Sequence, residues 1–459
     1  MKISIAKKKI ELGSIAVGVI FFSLMGFAFY IYSINISLLF TALLLYLYVK
    51  FFRRMEELPP AIDLAILGAL AVLMPLLVIV QLRLPSYLVP VIGFIALLTI
   101  LFENIELSLL FSFYLSLLVA SVDNGNFNVM VSLLSGVLSV LLLSYRIRRR
   151  SQVIRSVIIA GAIQCLSALL LEGRYDFFVA ARFDFNLMRL CGINILISLA
   201  VVWVLQPFFE YVFKVVTSIS LLELSDFNRP LLRRLILEAP GTYQHSLVVA
   251  NLSESAAETV GANSLLARVG AYYHDIGKMA KPEYFVENLV NYKDVHKNLK
   301  PSMSKIIIFN HVKDGLELAA KYRLNPKIVD FISQHHGRSL VYYFYQRAKE
   351  LEPEAEHEEE YRYPGPKPQT KETAIVSLAD SVEALSRTLD EPTPARIEEM
   401  VKDVVKKRFM EGELDESNLT LKDLEQITQS FIRILNAIFH TRINYPRDET
   451  ILPKTNKPK

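Results

Sequence analysis

The chain has 459 residues, of which 52% are hydrophobic and only 21% are charged, and its mean hydropathy is +0.34. This composition excludes an ordinary soluble protein. Residues 1–213 carry 16 basic and 11 acidic side chains, whereas the remaining residues carry 34 and 35. Because the basic surplus lies in the apolar part, the net charge of +4 does not indicate a nucleic-acid-binding domain.

The apolar part, residues 1–213, is predicted to be a transmembrane domain of about eight helices. A helix needs about 20 apolar residues to cross the hydrocarbon core of a bilayer. The candidate spans run roughly over residues 14–32, 36–52, 61–81, 87–102, 107–122, 129–145, 157–171 and 187–213. The first two are separated by only three residues, so this hairpin is the weakest part of the prediction.

The distribution of lysine and arginine predicts the orientation of the spans, since cytoplasmic loops retain positive charge. If the N-terminus is cytoplasmic, the connections on that side carry twelve basic residues and those on the opposite side carry four. This division favours eight spans with both termini inside, in the inner or plasma membrane of a bacterial cell. The second part of the chain would then face the cytoplasm.

Two further features of the apolar part indicate no chemistry. Asp63 is a candidate for a transport residue, but it follows Pro59 and Pro60 at the end of a span, which favours an interfacial position. The two cysteines, Cys165 and Cys191, lie in apolar surroundings and do not indicate a disulfide framework or a cysteine-rich metal site.

The second part is predicted to be all-α, because its apolar spacing is helical without sustained strand alternation. Residues 214–238 are expected to form a connecting helix or linker, residues 239–450 a cytoplasmic domain, and residues 451–459 a tail. The segment from about 347 to 369 is rich in Glu and Pro, so we expect a solvated, partly disordered loop there.

Histidine placement carries the chemical signal. Six of the eight histidines fall between positions 245 and 336, including the pairs His274–Asp275 and His335–His336. Each pair is followed closely by glycine, which is typical of a helix end, where neighbouring side chains can reach one centre. Any one of these histidines alone would more often be a core or surface imidazole.

Taken together, the set predicts a centre for two metals. Five imidazoles and two carboxylates are available, and Asp275 could bridge the ions; the ligands are His245, His274, Asp275, His311, His335, His336 and Asp380. Nitrogen and oxygen ligands without thiolate favour iron, manganese or a similar ion over structural zinc. Two such ions suit hydrolysis of a phosphoester.

The sequence resembles the HD-domain phosphohydrolases, and within them the seven-transmembrane group of bacterial cyclic di-AMP phosphodiesterases. The resemblance rests on the ordered segments YQHS, HDIGK, KPEYFVEN, FISQHHG, YRYPGPKPQ and SLADSVEALSR, and it extends over most of the chain. It implies a membrane protein that linearises cyclic di-AMP to 5′-pApA with a water activated by two metals.

By resemblance, one metal would be held by His245, His274, Asp275 and Asp380, and the second by Asp275, His311, His335 and His336. Asp275 and Lys278 are the candidate catalytic residues: Lys278 could contact a phosphate, although a surface lysine is equally expected there. Arg387 is a weaker phosphate candidate. His296, His357 and His440 lie outside the ligand pattern.

The sequence also departs from the family pattern. The large extracytoplasmic region that follows the first span is reduced to Ser33 to Asn35, and Gln244 and Leu289 differ from the expected residues. The residues after HHG lack the GYP-type extension of cyclic di-GMP hydrolases, so cyclic di-AMP is the better substrate prediction.

Several alternatives remain open. The chain could be a non-catalytic nucleotide-responsive receptor, a hydrolase of another nucleotide such as guanosine tetraphosphate, or a transporter with a regulatory HD domain. The expected partners are a cyclic dinucleotide and the lipid bilayer, with a homodimer as one candidate assembly and no nucleic acid polymer.

Overall fold

The computed structural model describes residues 82–145, 147–172, 184–213, 215–289, 295–351 and 357–439. The chain divides into two compact units, Met1–Glu223 and Leu224–Lys459. Both are helical, and the described residues contain no strand, only an isolated antiparallel bridge between Leu340 and Arg362. The prediction of an all-α protein is therefore confirmed.

The described part of the first unit contains a short 3₁₀ turn, Ser86–Leu88, and six helices. They are α1 (Val91–Phe102), α2 (Ile105–Val122), α3 (Phe127–Ser144), α4 (Arg150–Leu171), α5 (Phe185–Phe213) and α6 (Ser218–Leu224). Asparagine side chains start two of them: Asn104 accepts a hydrogen bond from the Leu107 amide, and Asn126 does so from the amides of Asn128 and Val129. These caps define where α2 and α3 begin.

Four helices of this unit, α2 to α5, are long and apolar enough to cross a membrane, and the segment Ser86–Phe102 is a shorter apolar helix. They correspond to the last five predicted spans; the first three fall outside the described residues. Helix α4 begins at Arg150, seven residues before the predicted start of its span. Hydropathy does not detect this polar first part, because the helix continues beyond its apolar run.

The second unit contains nine helices among the described residues. They are α7 (Pro230–Glu238), α8 (Pro240–Thr259), α9 (Ser264–Tyr273), α10 (Pro301–Lys321), α11 (Pro326–Gln334), α12 (Tyr342–Leu351), α13 (Lys371–Ser386), α14 (Pro394–Met410) and α15 (Leu421–Ile438). Five of them begin at a proline, whose fixed φ suits the first helical position and whose missing N–H would have no partner there. Helices α8, α9, α13, α14 and α15 surround one apolar core.

The segment predicted as a solvated loop is packed at both of its described ends. Helix α12 continues to Leu351, and a 3₁₀ turn covers Glu358–Tyr361. Tyr361 is fully buried, Tyr363 is 7% exposed, and the Tyr363 amide donates to the carbonyl of Ser339. Composition misses this packing because the aromatic residues point inward while the neighbouring acidic residues remain exposed.

Candidate metal centre

Five helix ends or faces bring the predicted ligands together. His245 lies in α8, His274 caps the C-terminus of α9, and Asp275 precedes the 3₁₀ helix Ile276–Ala280. His311 lies in α10, His335 caps the C-terminus of α11 with His336 next to it, and Asp380 lies in α13. All seven side chains predicted from the sequence therefore meet in one place.

The glycines after the two pairs have different roles. Gly337 has a φ of +56°, which is the left-handed conformation expected after a helix end. Gly277 instead permits close packing: a Cβ atom there would lie 1.8 Å from the carbonyl oxygen of His311. The absence of a side chain at Gly277 thus brings the Asp275 turn against α10.

Two groups of four residues have ligand atoms within 4.8 Å of one another, and both groups contain Asp275. One consists of His245, His274, Asp275 and Asp380, and the other of Asp275, His311, His335 and His336. In the first group, Asp275 Oδ2 lies 3.1 Å from His274 Nε2 and 3.6 Å from His245 Nε2. In the second, Asp275 Oδ1 lies 3.4 Å from His311 Nε2 and 3.5 Å from His335 Nε2.

The hydrogen bonds of the imidazoles leave Nε2 facing the centre. The Nδ1 atoms of His274, His311 and His335 donate to backbone carbonyls at 2.7, 2.5 and 2.9 Å. A metal-ligating histidine usually donates its other ring N–H in this way, which fixes the ring and its tautomer. When both rings are neutral in this way, the Nε2 atoms of His311 and His335 carry lone pairs 3.3 Å apart. These lone pairs repel each other, and a cation bound between them would remove the repulsion.

Buried atoms at the centre also lack partners. Both carboxylate oxygens of Asp275 and Nε2 of His274 are buried without a hydrogen bond among the described residues, and Asp275 is 1% exposed. Lys278 forms an ion pair with Asp275, with Nζ 2.8 Å from Oδ2. Because a buried carboxylate is strongly destabilising unless it is paired and hydrogen-bonded, this donor set fits divalent metal ions.

The electrostatics of the centre follow from burial and close charges. Burial lowers the pKa of His311 to about 4 and the pKa of His336 well below its usual value, so both imidazoles are neutral and can act as ligands at neutral pH. Burial opposes ionisation of Asp275, but the neighbouring His274 imidazole and the Lys278 ammonium keep its pKa well below the usual range. The residue that the two ligand groups share is therefore a carboxylate anion.

His245 differs from the other imidazoles because carboxylates face both of its nitrogens. Its Nδ1 donates to Glu383 Oε2 at 2.5 Å, and its Nε2 lies 3.1 Å from Asp380 Oδ1. Burial would lower the pKa of His245, yet these two hydrogen bonds raise it to about 10, so a metal ion bound at Nε2 would have to displace a proton. Glu383 in turn accepts from Arg387 Nε at 2.6 Å.

Sequence analysis missed Glu383 and gave Arg387 a different role. Glu383 lies one turn after Asp380 on α13 and is 3% exposed; a carboxylate three residues from a ligand is the only sequence signal for it. Arg387, considered as a phosphate contact, instead pairs with Glu383.

Lys278 is not the surface lysine considered as an alternative. Its side chain is 13% exposed, and Nζ lies 2.8 Å from Glu287 Oε1 as well as from Asp275. Burial would lower its pKa, but the charges of Asp275 and Glu287 raise it. An ammonium group has three N–H donors, so two ion pairs leave one donor for a further acceptor.

An aromatic wall borders one side of the centre. The ring of Tyr363 stacks on His336 with a centroid distance of 4.2 Å, and Phe285 lies edge-on to His311. The His336 side chain is 19% exposed, whereas the imidazoles of His245, His274, His311 and His335 are at most 6% exposed. The accessible side of the centre is therefore beside His336 and Tyr363.

The two other histidines among the described residues lie apart from this arrangement. The ring of His296 is 5.1 Å from that of Phe344, and its Nε2 donates to the carbonyl of Tyr284. His357 is exposed, and His440 lies outside the described residues.

Two family models match this sequence. The model for an HD domain matches residues 242–385, which contain every residue of the centre. The model described as a 7TM receptor with intracellular HD hydrolase matches residues 15–217. The chain belongs to the seven-transmembrane HD hydrolase family. Together with the four apolar helices, the second match identifies the first unit as a membrane domain. The first match identifies the second unit as an HD domain, which is a metal-dependent domain.

Curated relatives agree with this family. Cyclic-di-AMP phosphodiesterase PgpH of Bacillus subtilis is 39% identical over 79% of this chain and 51% of its own length. Its namesake in Listeria monocytogenes is 38% identical over 75% of this chain and 48% of its own length. The chain thus spans about half the length of these relatives. The crystal structure of the L. monocytogenes PgpH HD domain in complex with cyclic-di-AMP is 47% identical, covering 47% of this chain and 100% of that one, with a TM-score of 0.45.

Proposed function

We propose that this protein is a metal-dependent phosphodiesterase that hydrolyses cyclic di-AMP to 5′-pApA. The observation that carries the proposal is the buried pair of ligand groups that share Asp275. The substrate is supported by the two relatives named cyclic-di-AMP phosphodiesterases. The catalytic unit is residues 239–450.

The proposed ligands are those predicted from the sequence. His245, His274, Asp275 and Asp380 would hold one ion, and Asp275, His311, His335 and His336 would hold the other. Nitrogen and oxygen donors without thiolate support iron or manganese. When bound, two such ions supply an activated water and stabilise charge on the phosphate during in-line displacement.

The protein's own residues then orient the ligands and the substrate. Lys278 holds Asp275 through the 2.8 Å ion pair and offers its remaining N–H to a phosphate oxygen. The phosphate approaches beside His336, where the centre is accessible, and the Tyr363 ring offers a stacking surface there. Water oxygen bonds to phosphorus as the bond from phosphorus to the 3′ oxygen breaks, which leaves a 5′ phosphate and a 3′ hydroxyl.

We place the catalytic unit on the cytoplasmic side of a bacterial inner or plasma membrane. The support is the division of basic residues, twelve on the proposed inner connections and four on the outer ones. A homodimer stays a prediction.

A hydrolysis panel tests the proposal. The full chain in detergent, loaded with Mn, Fe or Zn, is incubated with cyclic di-AMP, cyclic di-GMP and guanosine tetraphosphate, and the products are separated by chromatography. We expect 5′-pApA from cyclic di-AMP, with less turnover of the other two. Binding of cyclic di-AMP without turnover by the metal-loaded chain would contradict the proposal and support the receptor alternative. Preferential turnover of another nucleotide would refute the substrate.

A further inference from the structure

The only two cysteines of the chain meet in the membrane domain. Cys165 lies in α4 and Cys191 in α5, where Cys191 belongs to the apolar core of the unit and Cys165 packs against that core. Both are free thiols. They are 26 positions apart in the sequence, so only the packing of the two helices brings them together.

The register of the two helices supports this contact independently. A Cβ atom on Gly161 of α4 would lie 2.2 Å from Cγ1 of Ile195 in α5, so the helices approach closely at that level. Moving four residues forward from Gly161 along α4 leads to Cys165, and moving four back from Ile195 along α5 leads to Cys191. In an antiparallel pair, these two steps advance one turn in the same direction.

The two cysteines also lie at the same depth. Each is six residues from the helix terminus beside the 173–183 connection, because α4 ends at Leu171 and α5 begins at Phe185. At 1.5 Å per residue, this is about 9 Å along each axis. Under the proposed orientation, this end faces the extracytoplasmic side, where disulfides persist.

We propose that Cys165 and Cys191 form a reversible disulfide that ties α4 to α5 in response to a peroxide. Cys165 is partly exposed, whereas Cys191 is 3% exposed, so the peroxide oxidises Cys165 first, forming a sulfenic acid and releasing one water. The Cys191 thiol then attacks this sulfur, the S–S bond forms, and a second water leaves. One peroxide is reduced and two thiols are oxidised, and a dithiol reductant reverses the reaction.

Thiol counting on the full chain tests this site. The reduced chain, in native membranes, is treated with hydrogen peroxide, denatured, and labelled with a maleimide carrying polyethylene glycol, which shifts the band on a gel once per free thiol. Before oxidation, we expect the band to show two shifts. After oxidation, most of the protein molecules should show none, and dithiothreitol should restore both shifts. Mass spectrometry should find the Cys165 and Cys191 peptides joined within one chain.

A matched variant moves one thiol around α4. The double variant Cys165→Ser with Leu166→Cys keeps two cysteines in the chain. Position 166 lies on a different face of α4 from position 165, and Leu166 is 57% exposed there. This variant should retain two labelled thiols after peroxide. Retention of both thiols in the unmodified chain would overturn the proposal, as would a disulfide between two chains or equal cross-linking in the double variant.

Discussion

The two units of this protein bury carboxylates in opposite ways. In the membrane unit, Glu210 is 8% exposed and accepts hydrogen bonds from Gln206, Thr217 and Ser220 at 3.0, 2.5 and 2.7 Å. In the second unit, Asp275 is more deeply buried, and its oxygens face the Lys278 ammonium and several imidazole Nε2 atoms, with no hydroxyl or amide donor among the described residues. The hydrogen bonds of Glu210 are those of a structural residue, whereas the imidazoles around Asp275 are those of a candidate metal site.

Neutral groups without partners do not carry the same meaning. The membrane unit also buries polar atoms that lack a hydrogen bond, such as both side-chain atoms of Gln164. The cost of burying an unpaired amide is about 1–3 kcal/mol by protein data, whereas that of an ion is several times larger. Among the described residues, the candidate metal centre is therefore distinguished by a buried carboxylate that several imidazole nitrogens surround, and not by unsatisfied atoms in general.

The largest effect is expected at the shared ligand. Asp275→Asn removes the charge that both proposed ions need, so we expect hydrolysis of cyclic di-AMP to fall by more than about 100-fold. Metal content, measured by mass spectrometry of the purified chain, should fall below two ions per chain. The matched control is Asp403→Asn, which makes the same change at an exposed position of α14. Full activity in Asp275→Asn would remove the proposed role of this residue.

Metal removal should lower the stability of the second unit and leave that of the first unit unchanged. Ions at a concentration of about 100 times Kd stabilise the folded state by about 2.7 kcal/mol per site, which corresponds to a Tm shift of roughly 5–10 °C for a unit of this size. We expect a chelator to abolish hydrolysis and to lower only the unfolding transition that belongs to the second unit. Equal shifts of two calorimetric transitions would show that the ions do not act at this centre.

The Glu383 contact should affect metal affinity more than it affects the fold. Glu383 fixes the ring of His245 through its Nδ1, and loss of such a partner typically weakens metal binding 10- to 100-fold. We expect this loss in Glu383→Ala, with partial rescue in Glu383→Gln because the amide oxygen can still accept. Affinity is measured by competition with a metal indicator. The exposed Glu399→Ala serves as the control, and unchanged affinity in Glu383→Ala would contradict the positioning role.

The smallest effect is expected at the satisfied carboxylate. Glu210→Gln keeps an oxygen acceptor for one hydroxyl donor but replaces the other acceptor, so the free energy of unfolding of the membrane unit should fall by about 1 kcal/mol. Hydrolysis and metal content should not change. A loss of bound metal in this variant would abolish the contrast between Glu210 and Asp275.

The sequence predicted which side chains meet at the centre because their signal is local. His274–Asp275 and His335–His336 follow the ends of two helices, and a glycine lies close after each pair. The long apolar runs likewise predicted α2 to α5, although they did not detect the polar start of α4 at Arg150.

The missed features depend on packing between distant segments. Glu383 is one of many carboxylates spaced by one helical turn, and only the approach of α8 gives it His245 as a partner. Tyr363 lies in a segment whose composition is typical of a solvated loop, yet it stacks on His336. The contact between Cys165 and Cys191 requires the register of two helices, which hydropathy does not contain.

Anomalous diffraction from crystals of the manganese-loaded chain tests the metal centre most directly. Data collected at the manganese edge should show two peaks about 3.5–4 Å apart, with Asp275 between them, His245 beside one and His311 beside the other. A single peak, or two peaks away from Asp275, would contradict the two-metal account of this site.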